Sequence, residues 1–170
     1  MRVALTGTPG TGKTTVSERL DVPVVHLNEV VESEGLWTDR DEERDSLVAD
    51  VDALGDWVDR NEPSTGPVVV ESHLAHLLDA DRVVVLRCRP ADLERRLRDR
   101  GVAPAKAREN AESEALDVVL GEAVERHGAG AVYEVDTTDR DPDEVAADVR
   151  AVVAGERDPS AGTVDFTDYL

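Results

Sequence analysis

Gly7, Gly12, Lys13 and Thr14 stand in the spacing G-x-x-x-x-G-K-[ST], inside the run GTPGTGKTT that begins at Gly7. That set of residue types holds phosphates. Glycines let the backbone curl until several N–H groups face one anion, where a Cβ would obstruct. A helix opening near Gly12 adds its unpaired N–H groups and the positive end of its dipole. The Lys13 ammonium is then placed to lie across the terminal phosphates, and the Thr14 hydroxyl to bind Mg²⁺. Pro9 stiffens the loop through its fixed φ. The apolar run RVALT (2–6) leads in and KTTVSERL leads out, which is the strand–loop–helix context the motif requires. These residues predict a nucleoside triphosphate site.

Two more groups offer chemistry. The run VVVESH ends with Glu71 just past its valines, and His73 follows two residues on. An acid at the end of such a strand holds the Mg²⁺ shell or positions the attacking group, and a histidine beside it orients a water or a phosphate oxygen. The stretch RCRPADLERRLRDRG carries six arginines from Arg87 to Arg100 in an otherwise acidic chain. Phosphoryl transfer needs cations around the equatorial oxygens, and the forked guanidinium suits that role. Arg100, followed by a glycine hinge at Gly101, is the leading candidate. Arg95, Arg96 and Arg98 read as surface partners of Asp92, Glu94 and Asp99 at helical spacing.

The elements that must position these residues follow from periodicity. RVALT (2–6), PVVHL (23–27), PVVVES (67–72), RVVVLRC (82–88) and AVYEVD (131–136) are short, valine-rich and nearly continuous, as strands buried on both faces of a parallel sheet are. Helical patterns cover 12–20, 28–34, 42–60, 90–99, 104–127 and 142–154. The alternation predicts an α/β P-loop fold: a five-stranded parallel sheet flanked by helices, with ligands at the carboxyl ends of the strands. A single domain of residues 1–154 is expected, with a tail over 155–170 whose Phe166 and Tyr169 either dock or stay mobile. Inserts at about 30–61 and about 100–110 suit a nucleoside monophosphate kinase, the first closing on the acceptor nucleotide and the second as a short lid over the donor.

Composition excludes several classes. A net charge of −19 repels nucleic acid, so no direct nucleic-acid binding is expected. Lys13 and Lys106 are the only lysines, and isoleucine and glutamine are absent. Such an acidic, lysine-poor surface resembles that of salt-loving archaeal proteins, where concentrated salt screens self-repulsion. The lone cysteine, Cys88, reads as a small buried hydrophobe. No apolar run reaches membrane-spanning length, so a cytoplasmic protein without membrane contact is expected. A switch GTPase would need an N-K-x-D base-reading motif, which the chain lacks.

Taken together, GTPGTGKTT, VVVESHLAH, VVVLRCRPADLERRLRDRG and KARENAESEALDVVLGEA resemble the small adenylate kinase family shared by archaea and eukaryotes, over about residues 1–150. Its more specific marks are the acid-x-histidine pair and the run Arg100-Gly101, Lys106, Asn110, Glu114. The resemblance implies a broad-specificity nucleoside monophosphate kinase, AMP the foremost acceptor, using ATP and Mg²⁺ and having an accessory ATPase activity. It also implies transient contact with a small-subunit ribosomal protein during ribosome maturation, and an ATPase assembly factor with incidental kinase activity is the competing reading. Carried over by position, Gly10, Gly12, Lys13, Thr14, Thr15 and Arg100 are the ATP ligands, Thr14 and Glu71 hold the metal, and Lys13, Glu71, His73 and Arg100 are catalytic. Many relatives have Asp where this chain has Glu71, and an aromatic where it has Val102. Asn28, Arg40 and Arg44 are the candidates for the acceptor phosphate, with ion pairs to Asp41 or Asp45 an equally good reading of the arginines.

Overall fold

The computed structural model describes residues 1–43 and 46–170. Five strands, β1 (Arg2–Thr6), β2 (Val24–His26), β5 (Val68–Glu71), β6 (Arg82–Arg87) and β7 (Val132–Asp136), form one parallel sheet in the order β2-β5-β1-β6-β7. Their β-branched side chains suit a pleated surface packed on both sides. In register, Val3 lies beside Val69 and Leu5 beside Glu71, while His26 lies beside Glu71 on the other side.

Side chains alternate between two cores, as the strand period of two demands. Ala4, Val70, Val83, Val85 and Val132 pack under α2 (Leu27–Ser33), α3 (Val51–Asn61) and α6 (Val118–His127). Val3, Leu5, Val69, Val84 and Val135 pack under α1 (Lys13–Ser17) and α7 (Pro142–Val153). A smaller cluster of Cys88, Leu93, Leu97 and Ala107 joins α4 (Pro90–Asp99) to α5 (Pro104–Ala115).

Two expected helices are corrected. The pattern over 42–60 is a helix only from Val51. Before it, β3 (Trp37–Asp41) and β4 (Ser46–Ala49) form an antiparallel hairpin. The acidic run has helix-forming composition, but the helix starts where Asp50 caps it, accepting from the Ala53 N–H at 3.1 Å. The pattern over 104–127 is two helices, broken at Leu116 and Asp117. Asp117 takes φ +56°, a left-handed conformation that ends a helix. The tail docks: the Tyr169 hydroxyl donates to Glu94 at 3.0 Å, and the Phe166 ring lies 5.5 Å from the Arg87 guanidinium.

Candidate active site

The turn between β1 and α1 is shaped by its glycines. A Cβ on Gly7 would come within 2.7 Å of the Leu86 carbonyl oxygen, so β6 packs too close for any other residue. Gly12 takes φ +96°, a conformation that side chains strain to adopt. Within this loop Lys13 is only 8% exposed. Its ammonium donates to the carbonyls of Gly7 at 2.9 Å and Thr8 at 3.2 Å.

No carboxylate among the described residues forms an ion pair with this ammonium. Burial lowers its pKa to about 8, opposed by the charges of Glu71 and Glu114 and helped by Arg100. A buried cation held by neutral carbonyls, next to the unpartnered buried hydroxyl of Thr8, is a site short of an anion. The loop therefore fits the phosphates predicted from its sequence. Thr14 is exposed at the first turn of α1. Among the described residues no three His, Cys, Asp or Glu side chains cluster as a metal cage. A divalent cation here would be held by Thr14 and Glu71 with the phosphates and water completing its shell.

Two cavities lie on opposite sides of β1, and the loop lines the first of them. On the β6–β7 side a cavity of about 180 Å³ is lined by Gly10, Gly12, Thr15, Arg96, Arg100 and Arg140, among others. Arg100 and Thr15 thus line one cavity. Arg96 is corrected: it faces this cavity instead of pairing on the surface, because α4 turns that face toward the loop. On the β2–β5 side a cavity of about 390 Å³ lies between α2, the β3–β4 hairpin and the turn after β5. Asn28, Arg40, Leu47 and His73 are among its walls. Arg44 lies outside the described residues.

Glu71 is 6% exposed at the carboxyl end of β5. Its Oε2 accepts from Nδ1 of His26 at 2.9 Å. His26 escaped the sequence reading, and only the register of β2 against β5 reveals the pair. Burial pushes the His73 pKa down to about 4, with Lys13, His76 and Lys106 adding to the effect. His73 is therefore neutral at pH 7. His76 is buried as a structural bridge. Its Nε2 donates to Glu122 at 2.8 Å, leaving Nδ1 to accept from the Thr6 hydroxyl at 2.7 Å. Burial lowers its pKa too, against the pull of Glu122.

Glu114 is buried. With Glu134 and Asp117 it grips Arg87, at 2.8, 2.6 and 2.5 Å. Burial would discharge this guanidinium, but Glu114 and Asp117 outweigh it and hold it charged.

Comparison with known proteins places this arrangement. Residues 3–117 match the family model described as an AAA domain. Over its whole length the chain is 59% identical to a protein of Natronomonas pharaonis, all of which it covers, named "Putative adenylate kinase". Proteins of the same name from Halobacterium salinarum and Methanocaldococcus jannaschii are 60% and 39% identical, covered over 100% and 97% of their lengths. The chain belongs to this adenylate kinase family. The fold is shared with more distant kinases. A shikimate kinase from Bacteroides thetaiotaomicron superimposes with a TM-score of 0.59 at 19% identity, over 91% of this chain and 98% of that one. A gluconokinase from Sinorhizobium meliloti gives 0.55 at 18% identity, over 91% of both chains. Against those two, this member of the adenylate kinase family shares architecture alone.

Proposed function

We propose that the protein is a nucleoside monophosphate kinase that transfers the γ-phosphoryl group of ATP to AMP or a similar acceptor. The observation that carries this reading is the pair of separate cavities, one lined by the phosphate loop and Arg100 and the other by Asn28, Arg40 and His73. A two-substrate transfer needs such a divided site; an enzyme that only hydrolyses ATP needs one cavity and a water. The names carried by the relatives agree.

In this reading Gly10, Gly12, Thr14 and Thr15 hold the donor phosphates and Arg100 closes over them. The 100–110 segment acts as the short lid. Residues 30–61 form the acceptor insert, with Asn28 and Arg40 toward the acceptor phosphate. Lys13 exchanges its carbonyl partners for phosphoryl oxygens and follows the charge that develops there. Thr14 and Glu71 would hold Mg²⁺, whose positive charge would offset that of the phosphates. Because an acceptor phosphate is already an anion, the chain has little proton to remove, and positioning supplies most of the catalysis.

An accessory ATPase activity fits the same site through His73. It stands in the acceptor-side cavity and, being neutral, has a ring nitrogen free to orient a water. The ribosomal role implied by the family resemblance would draw on that activity. Product analysis with AMP, GMP, CMP, UMP or no acceptor, in concentrated potassium chloride, tests the reading. ADP formed in step with AMP consumption supports the kinase. Phosphate release indifferent to every acceptor, and stimulated by a small-subunit ribosomal protein, would replace it with an assembly ATPase.

A further inference from the structure

We propose that His26 is a positioning residue for Glu71, holding that carboxylate in the orientation the reaction needs; this rests on the role given to Glu71 above. His26 closes β2 and occupies the N-terminal boundary of α2. Its backbone is therefore fixed by sheet pairing on one side and by the helix on the other. The register places it directly beside Glu71, and its Nδ1–H donates to Oε2 over 2.9 Å.

The geometry is that of an outer group orienting an inner one. Glutamate has three side-chain torsions, and an unheld one loses entropy each time it must be ordered. Glu71 also has a competing partner. Its charge attracts that of Lys13, so an unheld Glu71 carboxylate would be pulled toward the buried ammonium. The His26 hydrogen bond engages Oε2 from the far side of β5, since β2 and β1 flank that strand. Oε1 is left for the metal shell or the attacking group. Partners of this outer kind commonly change metal affinity or activity ~10–100-fold when removed.

A double-mutant cycle tests the assignment. His26→Ala should lower turnover ~10-fold and raise the Mg²⁺ concentration for half-maximal rate by a similar factor, with the binding of metal-free ATP unchanged. His26→Asn, whose amide N–H can stand in for Nδ1–H, should stay within ~3-fold of the parent. In a Glu71→Gln background, His26→Ala should cost no further activity. A losses-equal result in both backgrounds, or a change under twofold in the single variant, overturns the proposal.

A second readout is independent of turnover. With ¹⁵N-labelled histidine, the protein free of metal and nucleotide should show a hydrogen-bonded His26 Nδ1–H resonance that shifts on Glu71→Gln. Its absence would also overturn the proposal. If instead the resonance behaves as expected but Glu71→Gln turns over normally, the role of Glu71 in the proposed reaction fails, and that of His26 with it.

Discussion

Lys13 makes the sharpest prediction at the scale of one residue. Its amine titrates near pH 8 because burial disfavours the charge, and arriving phosphates favour the charge again. Binding of metal-free ATP should therefore take up most of a proton at pH 8.5. Affinity should be flat below pH 8 and fall by up to ~10-fold per unit above it. Calorimetry in two buffers of different ionisation enthalpy measures the uptake, and Lys13→Ala should abolish it while lowering turnover ~10²–10³-fold. For folding the sign is reversed. Between pH 8 and 10.5 the unfolded chain keeps a proton that the native lysine has lost, so this group makes stability rise with pH across that window. A neutral His73 in the cavity between α2 and the β3–β4 hairpin makes a second prediction. His73→Ala should reduce acceptor-independent ATP hydrolysis by at least ~10-fold and phosphoryl transfer to AMP distinctly less. Equal losses in the two assays would leave His73 as a packing residue.

At the scale of elements, the buried Arg87 is the joint of the β6–β7 half. It ends β6 and contacts Glu114 of α5, Asp117 of the α5–α6 break, and Glu134 of β7. Glu134 in turn accepts the backbone N–H groups of Thr163 and Val164 at 2.7 and 3.2 Å, which brings the tail onto the same joint. Arg87→Met leaves two buried carboxylates facing one another without their cation, so it should cost ~3–5 kcal/mol in urea denaturation. Arg108→Met, an exposed i,i+4 partner of Glu112, should change stability by less than ~0.5 kcal/mol. A loss at Arg87 no larger than that at Arg108 would remove the joint from the account. Deleting residues 160–170 should weaken the same half by a smaller amount, because it strips the Thr163 and Val164 donors from Glu134 and an aromatic cover from Arg87 but leaves the ion pairs in place.

At the scale of the whole molecule, charge dominates. A net charge of −19 on 170 residues opposes compaction, and the related proteins of 59% and 60% identity come from halophilic archaea. The thermal midpoint should climb steeply from dilute buffer to molar potassium chloride, where the Debye length shrinks to ~3 Å. A midpoint flat across that range would mean that the acidic surface serves another purpose, such as a basic partner.

By itself the sequence determined the parts whose chemistry is local. The phosphate loop was legible because the spacing of Gly7, Gly12, Lys13 and Thr14 admits few other uses. The five sheet strands were legible because a strand buried on both faces must be continuously apolar. Glu71 and His73 could be placed at a strand end by the same reasoning. The hairpin before α3 was not legible, since alternating acids and arginines fit helix and strand alike until cross-strand pairing decides between them. The break at Asp117 was hidden for a similar reason: a left-handed aspartate leaves no mark in hydrophobic period. Only tertiary structure could set His26 against Glu71, or Arg87 among Glu114, Asp117 and Glu134. Those contacts join residues 27 to 47 positions apart, and no local pattern encodes which strand lies beside which.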